Sequence, residues 1–146
     1  MTAPLRLVGV DPELLFSVWP KVSVWIAAAC ARPGCDLRPV ELFVAAANQE
    51  AQLIVGLDDD DVLRAVAATQ VCHCTDGSLS CWVLVVGGAA DGWSAMLGEV
   101  EAGARRKGCD AVEFIGRRGW VRRLPGYSVS PHKAGSHFLK HLREAA

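Results

Sequence analysis

Val83-Leu-Val-Val-Gly87-Gly-Ala-Ala-Asp-Gly92-Trp-Ser-Ala-Met96-Leu-Gly-Glu-Val100-Glu-Ala-Gly-Ala104-Arg-Arg-Lys-Gly108-Cys-Asp-Ala111-Val-Glu-Phe-Ile115-Gly116 is the stretch on which the fold turns. It reads as strand, turn, helix, strand. Residues 81–86 and 111–115 are apolar runs of strand length, rich in Val, Ile and aromatics. Between them, Trp93, Met96, Leu97, Val100 and Ala104 recur at helical spacing, so residues 93–107 form a helix with one apolar face. Glu99, Glu101, Arg105 and Arg106 fall largely elsewhere on it. Asp91 is placed to cap the helix. Gly108 stands where a left-handed C′ residue belongs, after a basic last turn that suits the helix dipole. The helix would aim its free amides out of the glycine-rich turn at 87–92, a potential anion site.

Working outward, the 146 residues suit one domain, 1–146, with one core. A 51% hydrophobic content, slightly above average, argues against a disordered chain. Residues 18–31 carry Pro20 and Lys21 and fall short of a membrane span, and no signal peptide is expected at the N-terminus. Six cysteines without a secretory signal read as reduced thiols. The net charge of −1 is unevenly spread: residues 105–146 hold ten Lys/Arg against three Asp/Glu. That basic third could meet an acidic protein surface or nucleic acid, or simply complement the acidic remainder within the fold.

From the N-terminus, residues 5–10 read as a strand. Asp11-Pro12 then opens a helix whose stripe runs Leu14, Leu15, Val18, Val22, Trp25, Ile26 and Ala29, with a kink or break expected at Pro20. After a turn at 32–35, Asp36 opens a second helix, 37–48, with Val40, Phe43, Val44 and Ala47 inward. Strands follow at 51–56, 62–74 and 79–86, joined by an acidic turn at 58–60 and an Asp76-Gly77 hairpin. Beyond the central unit come a short helix at 120–124, a strand at 127–130, a loop at 131–135 and a final strand or short helix at 136–142. The expected class is α/β (α+β): a mixed, mostly antiparallel central sheet flanked by helices.

This order resembles the GCN5-related N-acetyltransferase (GNAT) fold, an antiparallel meander followed by a strand-helix-strand core that holds acetyl-CoA. Ala104-Arg-Arg-Lys-Gly-Cys-Asp-Ala-Val-Glu-Phe-Ile-Gly-Arg-Arg-Gly-Trp-Val-Arg-Arg-Leu-Pro-Gly-Tyr127 further resembles a GNAT-like subgroup of tailed bacteriophages, similar to short internal virion proteins of T7-like podoviruses. GNAT enzymes carry Arg/Gln-x-x-Gly-x-Gly/Ala after the fourth strand, where backbone amides wrap the CoA pyrophosphate. Here the matching stretch keeps Gly87, Gly88 and Gly92 as cofactor-binding candidates. It lacks the basic residue, and Asp91 would face a pyrophosphate with like charge. A tight strand-to-helix connection accounts for the same glycines.

The resemblance offers two catalytic candidates. Glu113 lies on the strand after the central helix, opposite its apolar neighbours, and could be a base or an ion-paired strand residue with Arg117 or Arg118. Tyr127 falls where GNAT enzymes place a general acid, or it is a core tyrosine with a satisfied hydroxyl. Cys72-His73-Cys74 has the wrong spacing for a zinc site. These cysteines, with Cys81 across the hairpin, read as buried small hydrophobes, and no metal is expected. Trp120 and Leu124 should anchor a short helix, leaving Arg117, Arg118, Arg122 and Arg123 outside as partner-binding candidates or a solvated face.

Two functions follow. One is a non-catalytic, virion-associated protein with a degenerate acetyl-CoA loop and no cofactor. Its partners would be other virion proteins or an acidic protein surface, and its location the virion or the host cytoplasm. The alternative is an acetyl-CoA-dependent N-acetyltransferase. Nucleic-acid binding through phosphates is a weaker third option, and no membrane is expected.

Overall fold

The computed structural model describes residues 5–32, 35–88, 92–117, 119–120, 124 and 126–142, with backbone alone for 92–95. Its strands are β1 (Arg6–Gly9), β2 (Gln52–Leu57), β3 (Leu63–His73), β4 (Leu79–Gly88), β5 (Ala111–Gly116), β6 (Ser128–His132) and β7 (Gly135–His141). The helices are α1 (Leu15–Cys30), after a 3-10 turn at Pro12–Leu14, then α2 (Pro39–Ala47) and α3 (Gly92–Arg106). All seven strands join one sheet in the order β1-β2-β3-β4-β5-β7-β6. Every pairing is antiparallel except β4 with β5. A parallel pair needs a crossover long enough to return the chain, and α3 supplies it.

Each face of the sheet has its own apolar layer. Leu15, Val22, Ile26 and Ala29 of α1 and Leu42 and Ala46 of α2 pack on Leu53, Val55, Val66, Ala68 and Val85. On the opposite face, Leu97, Val100 and Ala104 of α3 meet Cys81, Val112, Phe114 and Phe138, while Met96 packs with Ala65 and Ala67. β3 is an interior strand covered on both faces, so Ala65 to Thr69 are buried whichever way they point. The meander's turns are locally specified. The Asp58 carboxylate accepts the Asp60 and Val62 amides at 2.9 and 3.0 Å and pairs with Arg64 at 2.8 Å. The Arg64 hydrogen bond holds its pKa below the usual carboxylate value.

α3 ends as its sequence predicts. Gly108 takes φ +81°, its amide reaches the Arg105 carbonyl at 3.0 Å, and the Cys109 amide reaches Ala104 at 2.9 Å. These are the two bonds of a Schellman cap, with Cys109 and Ala104 both in the apolar layer.

Several local expectations are corrected. Residues 15–30 run as one helix through Pro20, which sits on the exposed side, where a carbonyl left without its donor can meet water. α2 begins at Pro39 with Arg38 as its cap, boxed against Glu41, rather than at Asp36. Its inward residues are Leu42 and Ala46, with Phe43 partly buried. Val40 and Val44 are 56% and 49% exposed and Ala47 is exposed. That helix is apolar nearly all round, so its pattern cannot choose a face. Glu101 is buried rather than outward. β4 continues two residues past Val86 and takes in Gly87 and Gly88, and β6 runs through Pro131 to His132. The 136–142 segment is a strand, β7. The Asp91 cap, the Trp93 side chain and a helix across 121–123 lie outside the described residues.

Candidate active site

β4 and β5 pair only at Ser80↔Ala111, Cys81↔Val112 and Trp82↔Glu113. Beyond that, β4 stays bound to β3 as far as Gly88↔Ala65, and β5 stays bound to β7 as far as Gly116↔Ser136. The two strands therefore part while each keeps its outer partner. The cause lies in β4. Ala68 faces Val85 and Thr69 faces Val83, so Leu84 is an extra residue, a β-bulge. A bulge bends its strand and raises its twist. The opening leaves the β4 edge from 83 to 88 with no strand partner on its β5 side among the described residues.

At the apex, on the α1 side of the sheet, four side chains converge from three strands. The Ser80 hydroxyl donates to Glu113 Oε2, and His137 Nε2 lies 2.8 Å from Glu113 Oε1. The His137 ring stacks on Trp82 at 5.5 Å and 10°. Strand alternation explains the grouping. Val112 and Phe114 point into the α3 layer, so Glu113 points the other way. Glu113 pairs with Trp82 on one side and lies beside β7 on the other. The side chains of Glu113 and His137 are 14% and 28% exposed, so the pair is sheltered yet reachable. Among the described residues, the expected arginine partner of Glu113 is replaced by His137. Sequence reasoning missed His137 and Ser80. His137 alternates with the buried Ser136 and Phe138, a signal that it faces the other way from them, whereas Ser80 is itself buried beside Cys81 and gives no such signal.

Tyr127 lies on the opposite face. Its ring packs on Phe114 at 5.3 Å and its hydroxyl donates to Glu101 Oε2 at 3.1 Å. Glu101 Oε1 takes Lys140 Nζ at 2.6 Å. Burial, then the Glu101 charge, drives the Tyr127 pKa far above its ordinary value. The structure therefore separates Glu113 from Tyr127, and it gives the Tyr127 hydroxyl the partner of a buried polar cluster.

The mouth of the opening is lined by Trp120, half-buried against Phe114 and Phe138 at 6.3 and 6.4 Å. A Cβ on Gly116 would lie 2.5 Å from the Trp120 ring, so glycine there admits the indole. A cavity of about 20 Å³ remains between Val83, Val86, Leu97, Phe114 and Trp120, room for about one water. Arg32, at the end of α1, lies over Trp120 at 5.7 Å. Burial and then Arg117 lower the Arg32 pKa. Arg117 is exposed. Arg118, Arg122 and Arg123 lie outside the described residues. Gly87 and Gly88 are packing glycines. Added Cβ atoms would lie 3.0 Å from the Trp25 carbonyl and 2.4 Å from the Arg64 carbonyl, and Gly88 has φ +142°. Gly92 is the first residue of α3.

The cysteines do not form the apolar set expected of them. Cys74 is exposed, past the end of β3, and Cys72 is only partly buried opposite Ser80. Cys81 is buried on the other face, where burial pushes its thiol up to about 11. A thiol so shifted is a poor nucleophile at neutral pH. Among the described residues no group of three or more His, Cys, Asp and Glu is placed to hold a metal ion.

No protein-family model and no curated protein matches the sequence. Solved structures do match the fold. The chain is similar to a GNAT family N-acetyltransferase (YhbS) from Escherichia coli in complex with CoA, at 12% identity over 98% of this chain and 84% of that one, with a TM-score of 0.67. It is also similar to yncA, a putative acetyltransferase from Salmonella typhimurium with acetyl-CoA, at 15% identity over 99% and 97%, with a TM-score of 0.61. The NatC complex bound to Gag peptide and CoA matches at 12% identity over 96% and 99%, with a TM-score of 0.67. At such identities the likeness is one of fold, and the fold is that of the GNAT acetyltransferases.

Proposed function

We propose that this chain is an acetyl-CoA-dependent N-acetyltransferase whose proton-accepting group is His137, held by Glu113 at the apex of the β4/β5 opening. The observation that carries the reading is the imidazole–carboxylate pair at the point where the two parallel strands part. A strand edge without a partner suits an extended ligand bearing amides, since each free N–H and C=O seeks a bond. The β4 edge from 83 to 88 would hold the pantetheine arm, and the start of α3 at Gly92 would receive the pyrophosphate. Acetyl-CoA supplies the activated acyl group.

The chain's own residues handle the proton. With Nε2–H donating to Glu113, Nδ1 of His137 carries the lone pair that takes a proton from an amine. Glu113 fixes the ring and balances the imidazolium charge, and Ser80 and Trp82 fix Glu113 and the ring plane in turn. Titration calorimetry with acetyl-CoA, together with release of free CoA thiol in the presence of primary amines, tests this. His137→Gln should bind acetyl-CoA as wild type does and lose about 10²- to 10⁴-fold in turnover. Turnover unchanged in that variant would overturn the assignment of the base.

A second reading keeps the fold without the chemistry: a virion-associated protein of a tailed phage that docks on other virion proteins or an acidic surface. What favours a non-catalytic role is the side-chain filling of the opening, where among the described residues Trp120 leaves a cavity of about 20 Å³. Wild-type protein silent in the calorimeter would count against the acetyltransferase reading, and detection of the polypeptide in purified phage particles would select this one.

A further inference from the structure

Surface helices of globular domains carry charge outward. α1 does not. Its exposed residues are Phe16, Ser17, Pro20, Lys21, Val24, Ala27 and Ala28, with one charge among them. Phe16 is 77% exposed and Val24 69%, with Leu14 at 54% just before the helix. The apolar surface continues onto α2 through Phe43. Phe43 meets Phe16 edge-on at 5.2 Å and Trp19 at 5.1 Å, between the outward Val40 and Val44. The edge-on contact with Phe43 restrains the Phe16 ring although water surrounds most of it, which lessens the freedom to be lost on docking.

We propose that the outer face of α1 and α2 is the interface of a two-fold homodimer of this chain, with Phe16 and Phe43 at its centre. Charge and area argue for a second copy. An isologous contact lays a patch on itself, so it must tolerate its own charges. Here Arg38 is paired with Glu41 at 3.3 Å, and the charges left are Glu13 and Lys21, of opposite sign. An antiparallel pairing of the two α1 helices brings Glu13 of each copy toward Lys21 of the other. Leu14, Phe16, Val24, Val40 and Val44 alone present on the order of 500 Å² per copy, hence about 1,000 Å² in a pair, and the flanking Trp19, Phe43 and Pro20 carry it into the range of a stable dimer.

A lipid surface is the competing occupant, because residues Pro12–Cys30 reach membrane-spanning length and composition, with mean hydropathy 1.3. Two observations oppose it. Leu15, Val22, Ile26 and Ala29 of that helix are locked into the sheet core. The face also lacks the rows of Lys and Arg that draw amphipathic helices to anionic lipid.

Sedimentation velocity on the intact chain, from about 1 to about 100 µM, tests the proposal across the range of ordinary dimer affinities. The wild-type protein should sediment as a dimer. Phe16→Glu should weaken association by at least about tenfold, as expected for a central aromatic, with an unchanged circular-dichroism spectrum. Val40→Lys, on the other helix, should do the same and keeps the test valid if the first variant fails to fold. A wild-type monomer at the highest concentration would overturn the proposal. So would dimers indifferent to both substitutions, or a monomer that floats with phosphatidylglycerol-containing vesicles.

Discussion

His137 and Glu113 are ordinary side chains made distinctive by the sheet register. The carboxylate bridges a serine and an imidazole because three strands present alternate residues to one face. Glycines do comparable work by absence. Gly88 has φ +142° and leaves no space for a side chain, since a Cβ would lie 2.4 Å from the Arg64 carbonyl. Gly88→Ala must therefore strain its own backbone and push β3 from β4, and about 2–4 kcal/mol should be lost in a urea melt. Trp120 is half-buried rather than enclosed, yet it packs on Phe114, Phe138 and the bare Gly116. Trp120→Ala should cost about 2–3 kcal/mol, below the range for a fully buried aromatic. A melting curve like wild type's would show that these ring contacts contribute little.

At the level of elements, the bulge at Leu84 shapes the site. It bends β4, and α3 must then bridge two strands that agree in direction only at their start. The helix ends on Gly108, where φ is +81° but nothing lies within 4 Å of an added Cβ. Gly108→Ala therefore suffers backbone strain without collision, and about 1 kcal/mol is the expected loss. The contrast with Gly88→Ala, measured in the same urea series, separates the two reasons for a glycine. Equal losses would mean that the close approach at Gly88 is relieved by movement of β3. α2 shows the opposite case: its sequence is apolar on nearly every side, and only docking against α1 and the sheet decides that Leu42 and Ala46 turn inward.

For the molecule as a whole, buried thiols and a buried phenol predict alkaline weakness. Burial raises the Cys81 thiol from 9.0 to about 11 and moves Tyr127 further still. Each group is neutral in the fold and prefers to ionise when unfolded. Their contribution is complete below the unfolded pKa and is lost as pH rises through the window to the folded one. Cys81 alone should remove on the order of 2 kcal/mol between pH 9 and 11. Urea melts of wild type and Cys81→Ala under reductant check this: the variant should show the smaller alkaline loss, and parallel curves would contradict it.

How much of this was legible in the sequence differs from residue to residue. The β4-α3-β5 unit, the Asp76-Gly77 hairpin and the Gly108 stop are set by local chemistry: apolar period, turn residues and a left-handed cap act within a few residues of chain. The mixed, mostly antiparallel sheet followed from their order. The site was only half legible. Strand alternation put Glu113 on the face away from Phe114, but its partner stands twenty-four residues on, in β7. Which strand lies beside β5 is a matter of sheet order. Tyr127 could be placed in sequence, yet only the packing of α3 showed that Glu101 turns inward to accept its hydrogen bond. The outward Leu14 and Val40 looked like core residues, because an apolar side chain reads the same whether it will meet its own sheet or another molecule. Periodicity reports how a segment is built; burial depends on what the rest of the chain leaves beside it.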